Sequence, residues 1–398
     1  MSKKLLALAT AAALSAPAAA AEADGNVTIY GRLNVSLDNV KADGAASSAA
    51  DLKSRNRITS NSSNLGFRGV EPLGNSLKAI FQIESGVQVD TGLSSTSTGT
   101  LASRNSNVGL AGDFGTVFFG NWDTPYKVTT SSGPIDAFYA EGMSTYVNVL
   151  SGNSTTTTTN GANRNTFDRR QNNSLQYWTP TWKGLSGRLG YSANEQRTSN
   201  GATVAQNPNL YSVSGVYAQG PLYLSLAYEQ HDEFANTATA RTDDKGIKFG
   251  AAYTFAGATT VGFAYEQLKF GGNVGATGLK KIIPTSYLSA AQLNNAGEAK
   301  IESYFLSLKH AIGPHTIRAM YGQDRGLKVD GSEVPSSRAK TYAIGYSYSF
   351  SKRTDVYAYY TVISNDSNSN NDFANGGIGG VGGGADPKGI SFNIRHVF

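Results

Sequence analysis

The sequence predicts an all-β fold, a sixteen-stranded antiparallel transmembrane β-barrel, from three observations. Segments of alternating apolar and polar residues recur along the chain. Short turns and long polar loops connect these segments in strict alternation. The composition of the 398 residues also favours strands and turns, with 45 Gly, 21 Tyr, 17 Phe and no Cys. Without cysteine, a disulfide scaffold, cysteine-ligated zinc and a cysteine nucleophile are excluded.

The N-terminus has the three parts of a secretory signal peptide. Lys3 and Lys4 precede a short apolar stretch at 5–14, which a run of small residues follows. The apolar stretch is too short to span a bilayer. We therefore expect a signal peptide at 1–21 and a mature barrel at 22–398. Loss of two lysines leaves 32 basic against 29 acidic residues, a net charge of +3.

The strand pattern is first seen at 27–37, where apolar residues alternate with polar ones. Such alternation predicts strands with one apolar and one polar face. The same alternation recurs at 77–84, 222–228, 247–255, 342–350 and 390–398.

The connections between strands fall into two length classes. Seven short turns are predicted at 71–76, 112–115, 180–187, 218–221, 255–258, 312–315 and 350–353. Eight long loops are predicted at 39–55, 88–103, 123–168, 194–209, 231–244, 271–300, 323–338 and 364–387. Sixteen strands follow from this alternation, with both termini on the side of the short turns.

Short turns at one rim and long loops at the other are typical of outer-membrane barrels. A closed barrel is required in lipid because no open sheet edge can be satisfied there. The apolar faces then point to lipid, and the interior of a barrel this wide holds water. The alternative, a secreted multi-domain β-sandwich, does not explain the one-sided loop lengths.

Several ordered segments carry a family resemblance. They are VTIYGRLNVSLD at 27–38, NLGFRGVEPLG at 64–74, LKAIFQIESG at 77–86, NVGLAGDFGTVFFGNWDTPY at 107–126, NNSLQYWTP at 172–180 and FNIRHVF at 392–398. In order and spacing the chain resembles the trimeric general porins of Gram-negative bacteria, in particular the β-proteobacterial type.

The resemblance implies a homotrimer in the bacterial outer membrane whose third long loop folds into each pore. It implies a water-filled channel for passive diffusion of ions and small hydrophilic solutes. Implied partners are outer-membrane lipid, lipopolysaccharide and the barrel-assembly machinery. Phe398, at the end of an alternating segment, resembles the C-terminal signal that this machinery recognises. The alternative for Phe398 is an ordinary final strand.

The predicted third loop is the longest, and loops of that length are usually functional or disordered. It contains Asp123, Asp136 and Glu141, whose carboxylates we expect to face the lumen. A channel of this kind needs a constriction that carries a field, and it needs no reaction chemistry.

The opposite wall is predicted to be basic. Parity places Arg32 and Arg68 on the polar faces of the first two strands, with Lys78 and Arg170 on similar faces. Arginine keeps its charge even where it is partly desolvated. The predicted constriction therefore comprises Arg32, Arg68, Lys78, Asp136, Glu141 and Arg170, with weak anion preference. The alternative is that these are solvated charges without effect on selectivity.

Other functions have weaker support in the sequence. The four histidines lack metal-binding spacing, no GxSxG segment is present, and we expect no cofactor, metal or catalytic residue. A net charge of +3 does not indicate nucleic-acid binding. The glycine-rich run at 376–386 is expected to be a flexible eighth loop. A substrate-selective channel, an adhesin and a barrel enzyme remain the alternatives to a general channel.

Overall fold

The computed structural model describes most of the chain as one closed sheet. The described residues are 27–92, 101–131, 133–138, 142–151, 167–193, 207–233, 243–271 and 296–398. The predicted signal peptide and Glu141 lie outside these residues. No helix within the described ranges is long and apolar enough to cross a membrane.

The described residues form eighteen strands in a single antiparallel sheet. The strands are β1 (Thr28–Asp43), β2 (Leu52–Ser60), β3 (Asn64–Gly74), β4 (Leu77–Gly86), β5 (Ser106–Gly112), β6 (Gly115–Asp123), β7 (Arg170–Trp178), β8 (Leu185–Ala193), β9 (Asn209–Gln219), β10 (Leu222–Asp232), β11 (Asp243–Phe255), β12 (Thr259–Gly271), β13 (Glu298–Ile312), β14 (His315–Val329), β15 (Ser332–Glu333), β16 (Ala339–Ser349), β17 (Thr354–Asn365) and β18 (Asp386–Val397). Pairing of β1 with β18 closes the sheet into a barrel.

Two features reconcile eighteen strand segments with sixteen barrel strands. β2 and β3 both pair with β1 and together act as one strand, interrupted at 61–63. Across this break, Asn61 N donates to Asn34 O at 2.8 Å, so the ladder continues. β15 is a two-residue extension that pairs with the outer end of β14. The predicted sixteen-stranded antiparallel barrel is therefore confirmed.

The two faces of the strands point as predicted. On β1, Leu37 is 56% exposed on the outer surface, whereas its inward neighbours Asn34 and Ser36 are buried. On β16, Ile344 is 62% exposed on the outer surface, while Thr341 faces the interior. An apolar exterior around a polar interior is the arrangement that lipid imposes on a barrel.

Tyrosines on the outer surface are confined to one side of the barrel. Outward tyrosines occur on β7 to β17, including the directly paired Tyr265 and Tyr304 and the paired Tyr321 and Tyr342. Before residue 126 the sequence has a single tyrosine, Tyr30, which lies on the inner face beside Glu84. In the aromatic girdle expected of a membrane barrel, tyrosine is thus missing from the outer surface of β1 to β6, where the exposed rings are phenylalanines such as Phe67, Phe81 and Phe119.

All seven predicted short turns join adjacent strands of the barrel. The long-loop boundaries were less accurate, because several strands extend beyond their apolar segments. β14 continues to Val329, although a loop was predicted from 323, and β1 continues to Asp43. In these extensions the ladder persists, with buried apolar residues such as Val40, Leu327 and Val329 on the inner face.

The eighth loop, at 366–385, is ordered, so the expectation of a flexible loop is wrong. Asp372 accepts hydrogen bonds from the backbone N–H groups of Ile378 at 3.0 Å and Gly379 at 2.8 Å. Arg57 of β2 donates to Gly377 O at 3.0 Å. Phe373 is fully buried against the barrel interior. Side-chain contacts therefore compensate for the flexibility of the glycine-rich backbone.

The C-terminus takes part in barrel closure. Phe398 and Gly31 exchange two backbone hydrogen bonds, each of 3.0 Å. A Cβ atom at Gly31 would lie 2.5 Å from the Phe398 ring, so the ring requires glycine beneath it. Phe398 thus continues the β1–β18 ladder.

Candidate functional site: the lumen and its third loop

The described residues of the third loop, 124–131, 133–138, 142–151 and 167–169, lie inside the barrel as expected. It begins with helix α1 (Pro125–Ser131) and includes a 3-10 helix at Tyr146–Asn148. Six of the seven residues of α1 are buried, and the helix packs against β8 to β11. The loop therefore narrows the lumen from one side.

Hydrogen bonds fasten the loop to widely separated strands. Tyr126 donates to Glu266 of β12, Tyr223 of β10 donates to Thr129 O, and Met143 N donates to Tyr359 of β17, at 2.8, 2.7 and 3.0 Å. Farther along, the Asn148 side chain donates to Thr341 of β16. The loop thus follows the inner wall through much of its circumference.

Inward-facing glycines make room for the loop. A Cβ atom at Gly262 of β12 would lie 2.3 Å from Ile135 O, and one at Gly250 of β11 would lie 2.3 Å from Ile135 Cδ1. At Gly345 of β16 a Cβ atom would lie 2.7 Å from the Phe138 ring. Glycine at lumen-facing positions was visible in the sequence, and it is the signal that the sequence reasoning missed.

Ionisable groups are buried between the loop and the wall. Lys248 of β11 donates to Thr130 at 3.0 Å, and its ammonium lies 4.2 Å from the Tyr126 ring centroid. His231 contacts Glu229 at 2.9 Å, and its ring stacks on Phe167 with centroids 4.4 Å apart. Opposite charges and cation–π contact offset the desolvation of these groups.

Two ionisable groups of the loop itself, Arg169 and Tyr126, have shifted pKa values. Burial lowers the pKa of the Arg169 guanidinium to about 10, although Glu229 and Asp244 act in the opposite direction. Arg169 therefore remains charged at neutral pH. Burial, reinforced by the Glu266 carboxylate, raises the pKa of the Tyr126 hydroxyl, which remains a hydrogen-bond donor.

The wall that the loop leaves open carries Arg68. Its guanidinium lies 5.0 Å from the centroid of the Tyr30 ring. The Tyr30 hydroxyl donates to Glu84 at 3.1 Å, and Arg104 pairs with the same carboxylate at 2.6 Å. The Glu84 carboxylate thus belongs to a cluster that contains two arginines, Arg68 and Arg104.

Arg32 and Lys78 lie toward the short-turn rim of the same wall. Arg32 donates to Ser62 O at 2.9 Å, and Arg32 is adjacent to the Gly31 position that pairs with Phe398. Lys78 is the second residue of β4, directly after the turn. Both are half-buried and face the interior, as parity predicted.

Arg170 lies where the loop rejoins the wall. It pairs with Asp123 at 3.2 Å, and Lys127 of α1 contacts the same carboxylate at 3.2 Å. Asn105 also donates to Asp123 at 3.1 Å. The structure therefore brings Arg170 and Asp123 together, and with Lys127 and Asp168 the junction holds two basic and two acidic residues.

Asp136 lies within the fold of the loop itself. It is 7% exposed, and its oxygens accept hydrogen bonds from Phe138 N at 2.8 Å and Tyr146 N at 3.0 Å. Its carboxylate stabilises the loop backbone and presents little surface to the lumen. This geometry differs from the lumen-facing carboxylate that the sequence reasoning expected, because the spacing of acids does not reveal local backbone partners.

The charges of the open wall and the loop base are unequal. Of the residues described above, six are basic (Arg32, Arg68, Lys78, Arg104, Lys127 and Arg170) and three are acidic (Glu84, Asp123 and Asp168), and the inner face of β1 and β2 adds the pair Asp38–Arg57. A wet barrel, an inward loop and a charged wall together define an outer-membrane channel.

Comparison with known proteins gives the family. The sequence pattern of the Gram-negative porin family matches residues 7–368. The chain belongs to this family.

Individual relatives cover from 92% to 100% of the chain. Outer membrane porin protein 32 of Delftia acidovorans is 30% identical over 406 residues, covering 100% of both chains. An outer membrane porin of Bordetella pertussis is 28% identical, covering 92% of this chain and 95% of its own. The solved anion-selective porin from Comamonas acidovorans superimposes with a TM-score of 0.72 and 25% identity, covering 94% of this chain and 100% of its own.

The protein is therefore a porin of the bacterial outer membrane. It forms a channel for passive diffusion of ions and small hydrophilic solutes. The relatives it matches are porins, which are not enzymes.

Proposed function

We propose that this porin is weakly anion-selective and that the open wall sets the selectivity. The observation that carries the proposal is the excess of basic residues on that wall, together with the internal position of Asp136. Within the described part of the loop, the Asp136 carboxylate is turned into the loop itself, so a permeating anion meets Arg68 and Arg32 without a facing carboxylate from Asp136. The Comamonas relative is an anion-selective porin, which supports the same sign.

We infer that the protein is a homotrimer whose interface is the outer surface of β18 and β1 to β5. This surface lacks the tyrosines that line the remaining exterior and carries aliphatic residues and phenylalanines instead, including Leu33, Ile83, Ile394 and Phe81. Interfacial tyrosines suit a ring that is half in water and half in lipid. A surface covered by a neighbouring subunit meets no boundary between water and lipid, so tyrosines have no advantage there.

The remaining assignments also stay proposals. Residues 1–21 would direct export, and the protein would carry out no enzymatic reaction. Lipopolysaccharide and the barrel-assembly machinery would be its partners in the membrane. Phe398 would be part of the assembly signal, consistent with its ladder contact with Gly31.

The test is the zero-current potential of the trimer in a planar bilayer with a KCl gradient. The wild type is expected to prefer chloride, and Arg32→Ala with Arg68→Ala to shift the potential toward potassium. Lys340→Ala with Lys352→Ala is the matched control, because these lysines lie on the outer surface and on a turn. An unchanged potential in the arginine double variant would refute the proposed wall.

The same recording tests the oligomeric state. Closure of one inserted particle in three equal steps is expected for a trimer. A single closing step for each particle would contradict it. If folded, heat-modifiable protein gave no conductance at all, the general-channel function itself would fail.

A further inference from the structure

Four lysines lie directly opposite one another on the outer surface. Lys245 of β11 pairs in register with Lys269 of β12, which pairs with Lys300 of β13, which pairs with Lys328 of β14. We call these four residues the lysine row. With strands about 4.8 Å apart, the row is roughly 14 Å long.

The lysine row faces outward on the extracellular side of the girdle. Lys269 shares its face with Tyr265, four residues closer to the membrane centre, and Lys300 likewise shares its face with Tyr304. Phe270, next to Lys269, is fully buried on the opposite face. The row therefore lies at the level of lipid headgroups, outside the pore.

Like charges directly opposite each other on neighbouring strands are destabilising. Nearby carboxylates offset this repulsion in part. The pairs are Lys245–Asp243, Lys269–Glu298, Lys300–Glu302 and Lys328–Glu333, at 3.9, 3.2, 2.8 and 3.7 Å, and Arg325 shares Glu302 at 3.6 Å. Most of these groups are well exposed, and exposed pairs contribute little stability. Another anion can therefore compete for the lysines.

The series of directly paired residues that contains the lysine row extends across further strands, and its chemistry changes along the way. From β7 to β14 it consists of Leu175, Tyr191, Tyr211, Gln230 and then the lysine row. Because barrel strands tilt by about 35–45°, a line of paired residues climbs across the bilayer. Its residues change from apolar to aromatic to basic, as the surroundings change from hydrocarbon through interface to headgroup.

The lower part of the line adjoins an apolar groove on the outer surface. The groove, of about 410 Å³, is lined mainly by Leu175, Leu189, Tyr191, Tyr211, Val213 and Tyr228. A free phosphate ion has no apolar part that could occupy such a groove, whereas a lipid has both an anionic head and acyl chains. The basic end and the apolar end of the line thus match one amphipathic molecule.

We propose that the lysine row binds the phosphate groups of a phosphorylated glycolipid of the outer leaflet, with an acyl chain along the groove. The row lies on β11 to β14, away from the proposed subunit interface, and so faces lipid. The inference goes beyond the channel function, and conductance measured in parallel separates failure of one from failure of the other.

The test is binding of fluorescent lipopolysaccharide to the purified trimer in detergent at low salt. Lys269→Gln with Lys300→Gln is expected to weaken binding about tenfold or more, since each lysine near an anionic surface contributes about fivefold. Lys183→Gln with Lys352→Gln, on turns of the opposite rim, is the matched control and should bind like the wild type. Binding should weaken with salt.

A second probe needs no variant. Wild-type protein should bind dephosphorylated lipopolysaccharide at least as weakly as the double variant binds the intact lipid. Equal binding of the two lipids would overturn the proposal. Complete competition by low-millimolar inorganic phosphate would also overturn it, by showing a free-phosphate site instead of a lipid site.

Discussion

The inner wall of the barrel has two halves that are built differently. The half under the third loop, β8 to β18, has glycines at contact points and buried ionisable groups such as Lys248 and Glu266. The open half, β1 to β7, has partly exposed arginines that pair with carboxylates, such as Arg104 with Glu84 and Arg170 with Asp123. The same alternating strand pattern thus supports a packing surface on one side and a conducting surface on the other.

This difference shows what fixes the shape of the pore. The loop is positioned by the wall, because Gly250, Gly262 and Gly345 allow its backbone and side chains to approach closely. Substitutions in the covered half should therefore change loop position and stability, whereas substitutions in the open half should change selectivity.

Lys248→Met should have the largest effect. It leaves the fully buried Glu266 without its neighbouring cation, and such a change costs about 3–5 kcal/mol in a buried pair. We expect a lower denaturant midpoint and frequent spontaneous closures in bilayer recordings. Lys248→Met with Glu266→Gln removes both charges and should recover most of the lost stability. An unaltered single variant would show that the covered half does not depend on this charge.

Gly262→Val should displace the loop at Ile135. The new side chain begins 2.3 Å from a backbone oxygen, and overpacking of this kind costs about 1–3 kcal/mol. The single-channel conductance should change and become noisier. Gly215→Val is the control, because a Cβ atom at Gly215 has no heavy atom within 4 Å. Equal conductance in both variants would contradict the role of Gly262.

Asp372→Ala should loosen the eighth loop, which supports the third loop through hydrogen bonds from Asn371 and Ala374 to Asn148. Loss of hydrogen bonds to a charged acceptor should destabilise the loop by about 1.5–3 kcal/mol. Limited proteolysis within 366–385 should accelerate, while ion selectivity remains that of the wild type. Resistance to protease equal to the wild type would mean that Asp372 is dispensable for the order of this loop.

Arg68→Gln should have the smallest energetic effect and still change selectivity. One charge acting on an ion about 8 Å away in water contributes about 0.5 kcal/mol, or roughly twofold in the permeability ratio. The preference should fade near 1 M salt, where the Debye length is about 3 Å. A permeability ratio that stayed constant from 0.1 to 1 M salt would argue for a steric filter instead of an electrostatic one.

The barrel was predictable from the sequence because its rules are local. Alternation determines which face of a strand meets lipid, and turn residues determine where a hairpin reverses. The inward positions of Arg32 and Arg68 followed from the same parity. Strand ends were not predictable to the same degree, since β14 continues beyond the predicted loop boundary at 323 to Val329.

The loops were less predictable because their partners are distant in sequence. The Asp136 carboxylate accepts a hydrogen bond from Tyr146 N, ten residues away. The order of the eighth loop depends on Arg57, about 320 residues away. The sequence shows a carboxylate and a glycine run, and it does not show these contacts. The fully buried Lys248 likewise appeared as one more polar residue on an inward face.

The attachment of the third loop has a mechanical consequence. Tyr126 bonds to β12, Met143 bonds to β17, and Ile135 packs between Gly250 and Gly262. These contacts connect distant strands of a wide, water-filled barrel through the loop, which acts as an internal strut. Lateral pressure from the bilayer tends to flatten such a cylinder into an ellipse. The strut resists that flattening, so the segment that narrows the passage also keeps its cross-section round.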